Sequence, residues 1–217
     1  MASTIGSRGL GVLLGLGKLI LTLYGTLAIF VFVVLGAVAM IAQIPLRPFI
    51  RAVREPFILA FSTASSEAAL PVALENMELM GVPGHIVAFV LPTGYSFNLD
   101  GSTLYLSMAS LFVAQAAGVH MALSQQLLMM LTLMLTSKGV AAVPRASLVI
   151  LAGTLASFGL PLSGVALLLG ADALMDMART SVNLLGNCMA SAVVARWEGV
   201  EFSATSHSEQ LNAKAPV

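Results

Sequence analysis

Charge is what this sequence has least of. Only 9% of its 217 residues are Asp, Glu, Lys or Arg, against 58% apolar residues. Ten basic and ten acidic side chains cancel, and no basic stripe alternates with aromatics, so nothing here recruits nucleic acid. A single cysteine, Cys188, rules out an internal disulfide and a Cys-based metal site; it reads as a small packing residue. His85, His120 and His207 are scattered and read as interfacial or tail residues rather than ligands. The one tryptophan, Trp197, closes the last apolar run and fits an interfacial anchor.

What is present is apolar length, with a mean hydropathy of +0.96, which places the chain in the membrane class. The stretch 19–43 carries no charge and is long enough to cross a hydrocarbon core of about 30 Å. It is too long for a signal-peptide core. Residues 101–137 and 146–171 are equally charge-free. Between Leu79 and Ser137 the one formal charge is Asp100, and after Pro161 come Asp172, Asp176 and Arg179. An ionisable group at mid-bilayer depth costs about 2.5–3.5 kcal/mol on insertion scales, so each is a functional-site hypothesis.

The order of breakers sets the organisation. Residues 1–17 read as a Gly-rich lead-in loop and 18–43 as the first span, followed by a basic connection with Arg47, Arg51 and Arg54 that marks the cytoplasmic side. Within the segment 48–81, the apolar stretch Phe57 to Gly81 is interrupted at Ser62-Thr63-Ala64-Ser65-Ser66 into halves of about ten residues, each too short to span. Two short helices meeting at a polar tip describe a re-entrant hairpin, permitted where the tip is buried or lines a wet cavity; an amphipathic helix pair on the cytoplasmic face is the plainer alternative. The segment 85–119 is a span broken at Pro92, Gly94 and Asn98-Leu99-Asp100-Gly101-Ser102. A second hairpin occupies 124–160 with its tip at 137–144, a last span covers 163–197, and the polar tail 199–217 reads as disordered. Hairpin plus span occurs twice. An all-α membrane protein with two re-entrant hairpins and about three spans, arranged as an inverted repeat, is the fold class expected of 18–198, with a ligand site where the breaks converge.

Asp172, Asp176, Arg179, Asn183 and Asn187 are spaced 4, 3, 4 and 4, one polar stripe on an otherwise apolar helix. Asp176 and Arg179 can pair at i,i+3. The pair could be interhelical glue alone. Yet a planar guanidinium fork suits a carboxylate and a carboxylate suits an ammonium, so a zwitterion with an extra carboxylate is complementary to both. The 98–102 segment offers a carboxylate, amides, a hydroxyl and freed carbonyls, which hard cations favour; a mere kink with a protonated, hydrogen-bonded Asp100 is the competing reading. Ser65 and Ser66 lie at a half-helix N-terminus, where an anion is stabilised. Gly139 gives the second tip hinge freedom, and Lys138 and Arg145 are expected to face the aqueous vestibule.

These motifs resemble the dicarboxylate/amino acid:cation symporter family, specifically its bacterial proton/sodium–glutamate branch. The resemblance rests on Ser65-Ser66-Glu67 with Leu70-Pro71, and on Leu91-Pro92-Thr93-Gly94 leading into Asn98-Leu99-Asp100-Gly101-Ser102. It continues in Ser137-Lys138-Gly139 with Ala142-Val143-Pro144, and in Asp176-Met177-Ala178-Arg179-Thr180 with Asn183 and Asn187. It implies that Arg179 holds a side-chain carboxylate and Asp176 an amino group, with Ser65, Ser66, Ser102, Val143, Thr180 and Asn183 as further substrate contacts. It implies one sodium site at Gly94, Asn98, Asn183 and Asn187, a second at Ser96 with Ser137, Lys138 and Val140 through backbone oxygens, and a third at Asp100.

The same resemblance implies secondary symport of glutamate or aspartate with Na+ or H+ by an elevator-type transport domain. C4-dicarboxylates such as succinate, fumarate or malate are the alternative substrates. It also implies no enzyme activity, no organic cofactor, an inner-membrane location with lipid as surroundings, a cytoplasmic C-terminus, and a homotrimer for full-length members. Two departures stand out. Asn187 occupies a position where sodium-coupled archaeal members carry an aspartate, and the family's chains are roughly twice as long, so the sequence corresponds to their C-terminal half and reads as a fragment. An intramembrane aspartyl protease is the enzyme rival: Leu169-Gly170-Ala171-Asp172 approximates its Gly-x-Gly-Asp motif at the wrong offset, and no second membrane Asp follows a Tyr. A remnant using the fold only as a membrane plug is the third reading.

Overall fold

A computed structural model describes residues 10–139 and 146–202, and every structural statement here refers to them. The chain is helical throughout, with no strand among the described residues. The first helix, α1 (Leu10–Ile29), passes through a π-helical turn at Phe30–Leu35 into α2 (Gly36–Ile41). Within it, Leu13–Ile41 is long and apolar enough to cross a membrane. It starts earlier than the sequence suggested. Residues 10–17 are helical rather than loop because Leu16, Leu19, Leu23 and Leu27 repeat at helical spacing and bury one continuous stripe.

Helices α3 (Leu46–Thr63) and α4 (Ser66–Leu79) fold back on one another at the expected tip. They are longer than the ten-residue halves read from sequence, because the basic connection is itself helical. Phe49, Ala52, Val53, Pro56 and Ala60 face inward at 3.6-residue spacing, which puts Arg47, Arg51 and Arg54 on the opposite, exposed face. Ala64 closes α3 in the left-handed region, φ 49° and ψ 34°. Ser65 then caps α4, its Oγ accepting from the Ala68 N–H at 3.3 Å.

The broken span is α5 (Gly84–Phe97) and α6 (Asp100–Ala116), with Asn98 and Leu99 outside helical geometry. Pro92 and Gly94, expected to interrupt it, lie inside α5; a missing proline N–H is tolerated where neighbouring helices pack around it. Next come α7 (Leu123–Thr136), a short 3-10 turn at Ser137–Gly139, and α8 (Ala146–Ser157). The tip between them, 140–145, holding Val140, Val143 and Arg145, lies outside the described residues.

The last expected span is two helices, α9 (Ser163–Leu168) and α10 (Asp172–Trp197). The helix stops at Leu169-Gly170-Ala171 and restarts with Asp172 in the first turn of α10, where a carboxylate complements the helix dipole. Beyond α10 the chain is tied down as far as Phe202: Arg196 donates to the Val200 carbonyl at 3.1 Å and its guanidinium lies over the Phe202 ring. The rest of the polar tail, 203–217, lies outside the described residues.

Two apolar cores result. One gathers α2, α3, α4, α5 and the C-terminal half of α10 from Leu184 to Ala195; the other gathers α1, α6, α7, α8 and the N-terminal half of α10 from Met175 to Val182. The π turn of the first helix sits where they meet, with Phe30 and Val31 packed against both. An extra residue per turn rotates the buried face, which lets one helix serve two cores. The break at Asn98–Leu99 falls on the same boundary.

Candidate functional site

The polar stripe of α10 runs between the cores. Arg179 is its centre, with a side chain 2% exposed. Its Nε donates to Asp176 Oδ1 at 2.9 Å and its Nη1 to Asp172 Oδ1 at 3.2 Å. Thr180 Oγ1 also donates to Asp176 Oδ1, at 3.2 Å. Tyr105 of α6 completes the nest: its ring centroid lies 4.1 Å from the guanidinium carbon, and its hydroxyl donates to Asp172 Oδ1 at 3.0 Å. A cation held this way is desolvated but paired, the one arrangement in which a buried charge persists.

The two carboxylates are not equivalent. Asp172 is 3% exposed and Asp176 19%. Asp172 is therefore the permanent partner and Asp176 the accessible one. Oδ2 of Asp172 is buried without a hydrogen-bond partner.

One turn further, Asn183 joins α10 to the start of α6. Its Oδ1 accepts from the Ser102 N–H at 3.2 Å and its Nδ2 donates to the Ser102 hydroxyl at 2.9 Å. The helices lie backbone to backbone here: a Cβ on Gly101 would stand 2.5 Å from the Arg179 carbonyl oxygen. At the next turn Gly94 and Asn187 touch so closely that any Cβ at 94 would collide with Asn187 Oδ1. With its amide in the orientation that satisfies its neighbours, Asn98 donates to both oxygens of Asp100 at 3.2 Å, and its carbonyl faces the Asn187 side chain at 3.0 Å. One atom of the Asn187 amide is buried without a partner. Buried unpaired polar atoms cost about 1–3 kcal/mol each, a cost this stripe carries at Asp172 and at Asn187.

Both hairpins reach the broken span. The first does so through Ser66, whose carbonyl accepts from the Tyr95 hydroxyl at 3.0 Å. Ser65 spends its hydroxyl on capping α4. The second does so through its 3-10 turn: Ser137 Oγ lies 3.4 Å from Thr103 Oγ1, and Lys138 Nζ donates to the Phe97 carbonyl at 2.6 Å. Lys138, expected to face the aqueous vestibule, thus bonds a carbonyl of the broken span at an exposed position. The helix break frees the Phe97 carbonyl, and a flexible four-carbon stem reaches it.

The structure thus brings Gly94, Asn98, Asp100 and Asn187 together, and Ser102 with Asn183. It gathers Asp176, Arg179 and Thr180, and sets Ser66, Ser137 and Lys138 against the broken span. No hydrogen bond ties Ser65 or Ser96 to the Arg179 cluster, and Val140 and Val143 lie outside the described residues. Asp172 stood on the stripe read from sequence but without the role the structure gives it, partner to Arg179 at i,i+7. Sequence reasoning missed Tyr105, which carried no signal, since its role depends on how α6 crosses α10.

The site is thus an arginine buried between carboxylates, beside the freed carbonyls and amides of an interrupted helix. Compared with known proteins, the chain matches the sodium:dicarboxylate symporter family over residues 1–197 and belongs to that family. It is 48% identical over 196 residues, 90% of its length, to the proton/sodium-glutamate symport protein of Geobacillus stearothermophilus. It is 49% identical over 211 residues, 97% of its length, to the protein so named in Bacillus subtilis. To the proton/glutamate-aspartate symporter of Escherichia coli it is 48% identical over 198 residues. The matched regions are 47%, 49% and 45% of those proteins, so the chain spans about half the length of the curated relatives it matches.

Proposed function

We propose that this chain forms the ligand-binding part of an inner-membrane secondary transporter that carries glutamate or aspartate together with Na+ or H+. The observation that carries the reading is Arg179, buried between Asp172 and Asp176 against Tyr105 of α6. Two of the guanidinium's five N–H donors go to these carboxylates, leaving the Nη2 corner of the fork for the side-chain carboxylate of an acidic amino acid. Asp176, the more exposed partner, turns to the substrate ammonium, while Asp172 and Tyr105 hold Arg179 in place. Ser102 and Asn183, and the Ser65–Ser66 tip, lie along the path of the α-carboxylate.

The cation ligands of this scheme are Gly94, Asn98 and Asn187, with Asp100 beside them. An ion there screens the Asp100 charge and orders the Asn98–Leu99 break. Coupling follows if ion and substrate each favour the same closed arrangement of the second hairpin, a reciprocal linkage. The two helical hairpins are re-entrant, the two halves form an inverted repeat, and the domain moves as a body against a scaffold, in a homotrimer.

The test is uptake into proteoliposomes by this chain joined to the N-terminal half of the Geobacillus stearothermophilus relative. Radiolabelled L-glutamate, L-aspartate and succinate are offered under separate sodium and proton gradients. Glutamate and aspartate are expected to accumulate, Arg179→Ala to abolish both, and Asp176→Asn to lose the amino acids selectively. Glutamate uptake unaffected by Arg179→Ala refutes the reading; accumulation of succinate in place of the amino acids moves the substrate class to dicarboxylates.

A further inference from the structure

The outer face of α3 takes no part in the site around Arg179. Arg47, Arg51 and Arg54 stand on it at i, i+4 and i+7, and with Ile58 they fall within about 60° of the helix circumference. All four are exposed, Ile58 by 57%, and Ile50 beside them by 59%. Together with Glu55 they line one groove along the helix. One carboxylate against three guanidiniums leaves that groove positive. Glu55 pairs with none of them. Among the described residues the arginine ion pairs and guanidinium hydrogen bonds all belong to Arg179 and Arg196.

Arg196 also fixes where the groove lies. Its guanidinium donates to the Ala42 carbonyl at 3.2 Å and to Gln43 Oε1 at 3.4 Å, tying the turn before α3 to the last helix. The apolar helix long enough to cross a membrane ends at Ile41, and α3 begins at Leu46. Arg47 therefore lies beside the end of that span, and Arg54 about 10 Å further along the α3 axis. A headgroup layer is about 5–8 Å thick on each side of the hydrocarbon, and long arginine stems bring their charged ends to one level within it.

We propose that this face of α3 is a docking site for an anionic phospholipid, its phosphate held by Arg47, Arg51 and Arg54 and its acyl chains lying along Ile50 and Ile58. The site goes beyond the transporter reading and depends on neither its substrate nor its ion. Charge complementarity is the first reason: three cations without partners share one face, and a guanidinium fork matches phosphate oxygens bidentately. The isoleucines are the second, since a soluble phosphate has no use for them and a lipid chain does. Position is the third. Arginines in a short connection gather on the cytoplasmic side, the leaflet in which anionic lipids concentrate.

The test uses the chain joined to the N-terminal half of the Geobacillus stearothermophilus relative, delipidated in a neutral detergent. It is titrated with phosphatidylglycerol, phosphatidylcholine or inorganic phosphate, and bound lipid is counted by native mass spectrometry. Phosphatidylglycerol is expected to bind in preference to phosphatidylcholine. Each arginine replaced by Gln should weaken it about fivefold, so that the preference disappears in Arg47→Gln/Arg51→Gln/Arg54→Gln. Arg51→Lys keeps the charge but gives up the fork, and should fall between Arg51→Gln and the unmodified protein. Lys18→Gln, near the other end of the first helix, should leave binding unchanged. The replaced side chains are exposed, so melting midpoints should match; if the triple variant does not fold, Arg51→Gln decides. Phosphatidylglycerol binding that survives the substitutions overturns the proposal, whether the N-terminal half covers the face or the lipid sits elsewhere. Equal weakening by Lys18→Gln and Arg51→Gln means attraction by net charge alone. Displacement of the lipid by inorganic phosphate at a matching concentration means a site for a soluble anion. Either result also overturns it.

Discussion

Asp172→Asn removes a negative charge that is 3% exposed and sits 3.2 Å from a guanidinium equally buried. Removing one partner of a buried ion pair costs about 3–5 kcal/mol, because the other charge stays buried. Asp176 still holds Nε at 2.9 Å, so the lower figure applies, about 3 kcal/mol. At roughly 2–4 °C per kcal/mol for a chain of this size, the melting midpoint falls by about 6–12 °C. Asp176→Asn is milder. The side chain is 19% exposed and its amide oxygen can keep the Nε and Thr180 bonds, so the cost is about 1 kcal/mol, or roughly 2–4 °C. Ligand binding should rank the two variants the other way. Loss of a charge-assisted contact to the substrate ammonium, about 1.5–3 kcal/mol, weakens glutamate binding about 10- to 150-fold in Asp176→Asn. In Asp172→Asn binding weakens less than about tenfold, since Asp172 touches only Arg179 and Tyr105. Thermal unfolding in nanodiscs with and without L-glutamate reads both quantities. Equal destabilisation by the two variants, or a larger loss of stability in Asp176→Asn, refutes the division into a permanent and an accessible partner.

Tyr105→Phe keeps the ring under the guanidinium and deletes the bond to Asp172, so a loss of about 1 kcal/mol is expected; Tyr105→Leu, which also loses the cation–π contact, should cost about 1 kcal/mol more, read by the same melts. Gly101→Ala drives a Cβ to 2.5 Å from the Arg179 carbonyl oxygen, backbone against backbone, and should cost about 1–3 kcal/mol with a fall in glutamate binding. Melting and affinity unchanged by that methyl group would mean that α6 and α10 are further apart than described. Gly94→Ala pushes on Asn187 and is expected to weaken sodium binding more than glutamate binding, measured by ion titration at fixed glutamate.

Much of this was legible in the sequence because the signals were local. The α10 stripe needs only helical spacing from Asp172 to Asn187, and the Asn98–Leu99 break announces itself by polar residues and Gly101 inside an apolar stretch. The tip at Ser65 was legible for the same reason, since its hydroxyl caps the helix it begins. What escaped depended on crossings between elements. The pairing of Tyr105 with Asp172 joins residues 67 apart in sequence, and the reach of Lys138 to Phe97 spans 41; neither has a periodic signature. The break before Asp172 was hidden in a different way: Leu169-Gly170-Ala171 is apolar enough to continue a span, and the restart shows only in backbone geometry. The basic connection is a case between the two. Arg47, Arg51 and Arg54 mark it by charge, and only the buried residues between them show that it is part of α3.

Arg179 as the group that receives the ligand's carboxylate is the claim on which the rest depends, and a cryo-electron microscopy map with L-glutamate bound, made on this chain joined to a relative's N-terminal half, tests it most directly. The ligand's side-chain carboxylate is expected on the Arg179 guanidinium, with its amino group within hydrogen-bonding distance of Asp176. Glutamate density elsewhere, or an Arg179 side chain turned toward lipid, contradicts it.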